Sequence, residues 1–388
     1  MVEENNNEAD KFLIKNEPNK FLIEDLNNIL LHMNNLGGSD VYLQSGNKIV
    51  IDVNGFKRKV SKKPISFDSM EIITKHLQGD NAVGRLNSGD PIDDELEIKL
   101  DIEGQLKRFR FRLNFTGTKV QGEDAIQATI RSIPVTPPPL ENIGLSRDNY
   151  IYKNFFPMQG LVVVTGPTGS GKSTLMASCV AELLKEDFAN RVINTYESPI
   201  EFVYDEIDSP SCFITQSSVP QNCSTFKKAI ENSLRRKPEI IIVGEMRDAE
   251  TIAAAIEAAQ TGHLVIGTSH TNGVPETIRR LINTFDSSER ESRQADIIDT
   301  MQLIVSQRLL KTVDEKRIAV REHLKFDQKT KERLLTSNAL RINLETRKIL
   351  EEKNISMLEE AREKYEQGII LESDFIDLEK TFEFEKSK

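Results

Sequence analysis

Apolar residues recur along this chain with changing period, and each change marks a change of architecture. Between Phe21 and Leu36 the positions Leu22, Leu26, Ile29, Leu30 and Met33 follow helical spacing, and Gly37-Gly38 ends the run. Alternating segments follow at 41–44, 48–53, 95–102 and 108–115, and predict strands with one buried face. In the last of them Arg108, Arg110, Arg112 and Asn114 share one side, while Phe109, Phe111, Leu113 and Phe115 share the other. This order predicts a smaller α+β domain with an antiparallel sheet over residues 21–133. Ahead of it, residues 1–20 are rich in Asn, Glu and Lys and read as a mobile leader.

The consecutive prolines Pro137, Pro138 and Pro139 make 134–145 a stiff, extended connector. Beyond it the apolar runs become short and continuous, at 161–165, 191–197, 239–245 and 263–269, as in strands buried on both faces of a parallel sheet. Helices alternate with them. Residues 173–185 carry Leu175, Met176, Cys179, Val180, Leu183 and Leu184 as one stripe, and 249–260 opens after Asp248, a good N-cap, and closes before Gly262. The fold class is therefore α/β, with a parallel-sheet domain over 146–288. From Glu289 onward only helical patterns remain, so 289–388 is predicted as a helical C-terminal region.

Composition adds exclusions. With 38% hydrophobic and 29% charged residues the chain is an ordinary soluble globular protein. No apolar run approaches the roughly 18 residues of a membrane helix, so no transmembrane segment is expected. The polar, acidic start lacks the basic and apolar segments of a signal peptide. A formal charge of -10 argues against general nucleic-acid binding. Cys179, Cys212 and Cys223 form neither a metal spacing nor a disulfide framework, which points to a reducing, cytoplasmic setting.

The chemistry begins where a buried strand meets an amphipathic helix. Gly166-Pro167-Thr168-Gly169-Ser170-Gly171-Lys172-Ser173 matches the phosphate-binding loop in full, with Thr174 next to it. Glycines there let backbone N–H groups turn inward around phosphates, and the helix N-terminus adds partial positive charge. Lys172 is expected to reach the β- and γ-phosphates of ATP, and the Ser173 hydroxyl to ligate Mg²⁺. Glu245 ends the strand 239–245 at the carboxyl edge of the sheet, the expected place for a second, metal-side carboxylate. Glu197 ends the strand 191–197 and reads either as the base for the attacking water or as a solvated loop residue. His263 and His270 bracket one strand, so they cannot share a metal. His270 reads either as a γ-phosphate sensor, helped by Thr268 or Thr271, or as a satisfied loop histidine. For the Arg108–Asn114 stripe the alternatives are a solvated face and phosphate contact in the manner of an arginine finger. Arg235-Arg236-Lys237 suits the dipole at a helix C-terminus.

Four ordered motifs resemble the secretion ATPase superfamily. The phosphate loop, Thr195–Glu201, Val243–Asp248 and Thr261–Thr271 are similar to its Walker A, Asp box, Walker B and His box, in that order. The resemblance runs from Ser39 to Arg347 and includes Arg110–Asn114, Arg131–Pro134 and Ser337–Arg341. It is to the PilT-like branch, which includes pilus retraction motors and the DotB/TraJ ATPases of type IVB secretion and conjugation systems. Residues 272–280 and 233–238 look nearer to the DotB/TraJ type. The resemblance implies a PAS-like N-terminal domain, a RecA-like ATPase domain, a homo-hexameric ring and a nucleotide held between the two domains. It also implies Glu197 as general base, Glu245 at the magnesium site, and His263, His270, Arg110 and Arg112 as catalytic residues. The usual Glu-Asp-Pro is here Glu197-Ser198-Pro199, so any role of that Asp is lost.

The expectation is a cytoplasmic hexameric motor that hydrolyses ATP to power a type IV secretion or conjugation apparatus, recruited to inner-membrane or cytoplasmic components of that machine. A pilus retraction ATPase is the near alternative. A RecA-like nucleic-acid translocase shares the core but lacks basic and aromatic interleaving, and a small-molecule kinase would transfer phosphate to an acceptor rather than to water.

Overall fold

The computed structural model describes residues 10–102, 104–338 and 341–386, in two units, Met1–Val135 and Thr136–Lys388. In the first, β1 (Gly38–Gln44), β2 (Lys48–Val53), β3 (Phe56–Pro64), β4 (Ile92–Ile102), β5 (Gln105–Val120) and β6 (Glu123–Ile133) form an antiparallel sheet in the order β3-β2-β1-β6-β5-β4. The helix Ile23–Asn35 buries Leu26, Ile29, Leu30 and Met33, as its spacing predicts. Leu22 lies outside the buried stripe and is half-exposed; its N–H is met by the Asp25 carboxylate at 2.8 Å, which closes the helix start. The apolar face of β5 supplies Phe111, Leu113 and Phe115 to the same core.

The structure adds a strand that the pattern does not show, and it ties down part of the leader. β3, with the sequence FKRKVSKKP, buries only Val60 and Ser61, so pairing with β2 rather than burial makes it a strand. The leader is not loose where it is described. Ile14 donates its N–H to the Val60 carbonyl at 2.8 Å, and the Glu17 carboxylate accepts from Lys62 and Lys63 N–H at 2.6 and 2.8 Å. Residues 10–20 thus line the β3 edge, satisfying groups that an open edge would leave unpaired. Residues 1–9 of the predicted leader lie outside the described residues.

The second unit is built on β7 (Gly160–Thr165), β8 (Val192–Glu197), β9 (Phe213–Ser218), β10 (Ile240–Val243), β11 (Leu264–Ser269), β12 (Met301–Lys311) and β13 (Arg317–Lys325). Their order is β13-β12-β7-β11-β10-β8-β9, parallel throughout except for β13. Every residue of β7, β10 and β11 is buried. Alternate residues feed two cores: Leu161, Val163, Ile241, Val243 and Val265 on one face, Val162, Val164, Ile240, Ile242, Leu264 and Ile266 on the other. No described helix is long and apolar enough to cross a membrane.

The expectation that only helices follow Glu289 is wrong. After the helix Arg290–Thr300 the chain returns as β12, beside the phosphate-loop strand β7, and then as β13. Ser306-Gln307-Arg308 interrupts the apolar run of β12, and Arg321-Glu322 that of β13, which hides both strands from a pattern reading. The helices Gln328–Leu335, Ile342–Lys353, Met357–Glu366 and Glu372–Lys386 come afterwards. The stiff connector over 134–145 is not extended throughout: Leu140–Ile143 form a 3-10 turn with Leu140 buried, and Arg321 donates to the Ile143 carbonyl at 2.5 Å. Of the motif Ser337–Arg341, Ala339 and Leu340 lie outside the described residues.

Candidate nucleotide site

The parallel strands β7, β11, β10 and β8 point their carboxyl ends to one edge, and the loops leaving that edge carry the site. The loop after β7 turns into the helix Lys172–Leu184. A side chain at Gly166 is sterically excluded: its Cβ would fall 2.3 Å from the Gln307 carbonyl oxygen and 2.5 Å from Ser170 Oγ. Gly171 is left-handed at φ +82°, and a Cβ there would meet Gln307 Nε2 at 2.8 Å. Ser170 Oγ is buried, with no hydrogen-bond partner among the described residues.

Lys172 is buried, and its ammonium donates to the Gly166 and Pro167 carbonyls at 2.9 and 3.0 Å. It lies 3.4 Å from His270 Nδ1, and His270 Nε2 lies 3.8 Å from the Glu245 carboxylate. Burial lowers the pKa of Lys172, with Glu245 opposing. Burial and then Lys172 lower that of His270, which keeps the imidazole neutral near pH 7. The structure therefore brings Lys172, His270 and Glu245 together. Glu245 lies two residues past the end of β10 rather than at the strand's last position.

Glu197 ends β8, and Gly244 packs on its backbone: a Cβ at Gly244 would stand 3.1 Å from Glu197 Cα. Its carboxylate is buried and accepts from Thr195 Oγ1 at 2.8 Å, Gln216 Nε2 at 3.3 Å and Glu201 N–H at 3.4 Å. Burial pushes its pKa up to about 6, with those hydrogen bonds opposing. Thr268 is engaged with the Gly244 carbonyl, and Thr271 with the Thr165 and Thr277 hydroxyls. Ser198 is exposed.

His263 is not part of this cluster. It precedes β11 while His270 follows it, so the six residues of β11, ~20 Å of strand, separate the two. His263 Nδ1 instead lies 3.2 Å from the Ala258 carbonyl, at the end of the helix Ala249–Gln260. Arg110 and Arg112 belong to the first unit. Arg110 is buried with its charge met by Glu95 at 2.7 Å, and Arg108 is paired with Glu97 at 2.7 Å. Arg112 is exposed, with no ion pair among the described residues.

One support escaped the sequence reading. Gln307 of β12 donates to the Ser170 carbonyl at 2.6 Å and accepts from Arg321 of β13 at 2.7 Å. These two strands thus hold the phosphate loop from behind. Gln307→Ala orphans the Ser170 carbonyl and leaves Arg321 short of a partner in a buried place. The expected result is a stability loss of roughly 2 kcal/mol, read by urea denaturation, with nucleotide affinity roughly tenfold weaker.

Comparison with known proteins decides the lineage. The profile of the family described as "Type II/IV secretion system protein" matches residues 15–374. This chain belongs to that family. It is similar to the crystal structure of the Legionella pneumophila ATPase DotB, at 42% identity and TM-score 0.85 over 94% of this chain and 98% of that one. It is also similar to the crystal structure of the pilus retraction motor PilT with bound ADP, at 28% identity and TM-score 0.77 over 92% and 97%. The type IV pilus retraction ATPase PilT of Pseudomonas aeruginosa is 33% identical over 299 residues, 77% of this chain and 81% of that protein. The family profile stops at Asp374, early in the helix Glu372–Lys386.

The site fits Mg-ATP on its own chemistry. The loop offers N–H groups, a buried hydroxyl with no partner among the described residues and a buried ammonium, all suited to phosphate oxygens. Among the described residues no cluster of three His, Cys, Asp or Glu could hold a metal by itself. A magnesium ion held by the Ser173 hydroxyl, Glu245 and the phosphates themselves would require none.

Proposed function

We propose that this chain binds Mg-ATP and hydrolyses it to ADP and phosphate, as a homo-hexameric motor of the DotB type serving a type IV secretion or conjugation machine. The observation that carries the reading is the convergence of Lys172, His270 and Glu245 at the phosphate loop. The similarity to DotB over nearly the whole chain supports the choice of system. In this reading the N-terminal unit is PAS-like and the second RecA-like. Ser173 and Glu245 hold magnesium, which screens the phosphate charge when bound. Glu197 takes a proton from the attacking water, and His270 senses the γ-phosphate. The protein works in the cytoplasm, recruited to inner-membrane or cytoplasmic components of the machine. The match to PilT supports pilus retraction as the second reading.

Purified protein is expected to release phosphate from Mg-ATP and to assemble into a ring that an ATP analogue favours, since a site shared between subunits links binding to association. Phosphate release and light scattering check this. A monomer at micromolar concentration, with and without nucleotide, would overturn the ring; phosphate passed to an acceptor would point to a kinase. Restored secretion in a strain lacking DotB, against restored twitching in one lacking PilT, separates the two systems.

A further inference from the structure

Glu322 has no part in the reaction proposed above, yet it is a fully buried carboxylate at a junction of three elements. It stands on β13. Its Oε1 accepts from the Val274 N–H at 2.5 Å, and its Oε2 from the Met357 N–H at 3.4 Å. Val274 and Met357 are the first residues of the helices Val274–Asn283 and Met357–Glu366. The N-cap of the first is Gly273, which has no side chain to offer, and the N-cap Ser356 of the second is bonded to Glu359 N–H. One carboxylate therefore caps two helix starts, where unpaired N–H groups and the positive end of each dipole favour it. Glu276 and Arg347, paired with each other, are the charged groups beside it. Burial pushes the Glu322 pKa up to about 7, with the two N–H bonds and Arg347 opposing. Such a group is costly to bury, so its retention calls for a role.

What lies on the Val274 side is the sensor loop. Three residues separate Val274 from His270, and hydroxyls bridge the gap back to the phosphate-loop strand. Thr277 Oγ1 donates to the Gly273 carbonyl at 2.7 Å and meets Thr271 Oγ1 at 2.6 Å; Thr271 in turn meets Thr165 at the end of β7. A Cβ at Gly273 would stand 2.5 Å from Glu276 Oε2 and 3.0 Å from Glu322 Oε1, so a side chain there would have to push these carboxylates aside. On the Met357 side lie the C-terminal helices, packed on β12 and β13 through Leu310, Val320, Met357, Ala361, Ile370, Phe375 and Leu378.

We infer that Glu322 is a positioning residue: it holds the His270–Gly273 loop against the phosphate loop and ties that loop to the C-terminal helices. The inference rests on His270 being the γ-phosphate sensor. A shift of the loop on nucleotide binding or hydrolysis changes the Val274 bond and, through the same carboxylate, the start of the helix Met357–Glu366. The C-terminal helices then report the nucleotide state of the site.

Glu322→Gln has one acceptor where the carboxylate has two, so one helix start loses its cap at little change of shape. Turnover by phosphate release is expected to fall roughly tenfold, with affinity for a fluorescent ATP analogue within about twofold of the native value. Thr277→Val, isosteric and at a separate point of the relay, is expected to give the same split and serves if Glu322→Gln does not fold. By hydrogen exchange, the ATP analogue is expected to protect both 273–277 and 357–360 in the native protein, and only 273–277 in Glu322→Gln. Native turnover in both variants overturns the positioning role. So does loss of analogue binding in parallel with turnover, which a merely structural role would produce. Absence of analogue protection at 357–360 in the native protein overturns the link to the C-terminal helices. A native protein that releases no phosphate from Mg-ATP would instead refute the function itself.

Discussion

Glu197→Gln is expected to lower ATP turnover by about 10³-fold while leaving nucleotide affinity within about threefold. Glutamine keeps the shape and can still accept from Thr195, but it cannot take a proton from water. The carboxylate acts on the attacking water and not on the phosphates in the ground state, so the loss belongs to kcat. The pH profile makes the assignment specific. Because burial raises the Glu197 pKa to about 6, the basic form prevails above that value and is lost as pH falls through it. Native kcat should therefore decline below about pH 6, and the residual rate of Glu197→Gln should show no such limb.

Stability should move the other way. Below pH 4.5 the carboxyl is protonated in both the folded and the unfolded chain. As pH rises from 4.5 to about 6 the unfolded chain ionises first, and above about 6 the folded protein carries the whole cost of a buried charge. That shift corresponds to about 2 kcal/mol, so Glu197→Gln should be more stable than the native protein at pH 8 by up to about this amount. Urea denaturation at pH 8 and pH 4 checks the sign. A variant that is less active and more stable is the signature of a group kept for chemistry. Near-native turnover would remove Glu197 as base and pass the role to Glu245.

The parts of this molecule that were legible in the sequence are those where chemistry or burial leaves no freedom. The phosphate loop demands its residues at fixed spacing, and β7, β10 and β11, buried on both faces, are written as unbroken apolar runs. The helix Ala249–Gln260 announces its start because Asp248 accepts from Thr251 N–H at 2.8 Å, a bond between near neighbours in sequence. What escaped depends on partners far along the chain. β3 is a strand because β2 and residues 14–17 pair with it, and nothing in FKRKVSKKP says so. Gln307 and Glu322 look like interruptions of β12 and β13; their meaning lies in the Ser170 carbonyl and the Val274 N–H, 137 and 48 residues away. His263 and His270 stand at opposite ends of β11, as the sequence predicts; a motif names them together, but it is His270 that lies beside Lys172 and Glu245.

Lys172→Ala is expected to abolish tight nucleotide binding, and hydrolysis with it, without unfolding the protein. The ammonium is buried and held by the Gly166 and Pro167 carbonyls, so the loop is already closed around a positive charge that phosphate oxygens can take over. Burial lowers the Lys172 pKa, and a phosphate arriving beside it would raise it again. Charge-assisted bonds of this kind contribute about 3 kcal/mol, which corresponds to roughly 10²-fold in Kd. Removing the side chain also removes a charge whose burial is costly, which offsets the two hydrogen bonds lost at the Gly166 and Pro167 carbonyls, so stability without nucleotide should change little. The measurement that separates binding from folding is denaturation with and without ADP. At ADP one hundred times its native Kd, the native protein should gain about 2.7 kcal/mol, and Lys172→Ala should gain about a quarter of that or less. His270 supplies the control. Without the neighbouring ammonium its pKa should rise part of the way toward the ordinary value, since burial, the larger cause of its lowering, remains while the Lys172 charge is gone, and an NMR titration would follow the shift. A Lys172→Ala protein that still gains full stability from ADP would mean that the loop's N–H groups alone carry the phosphates.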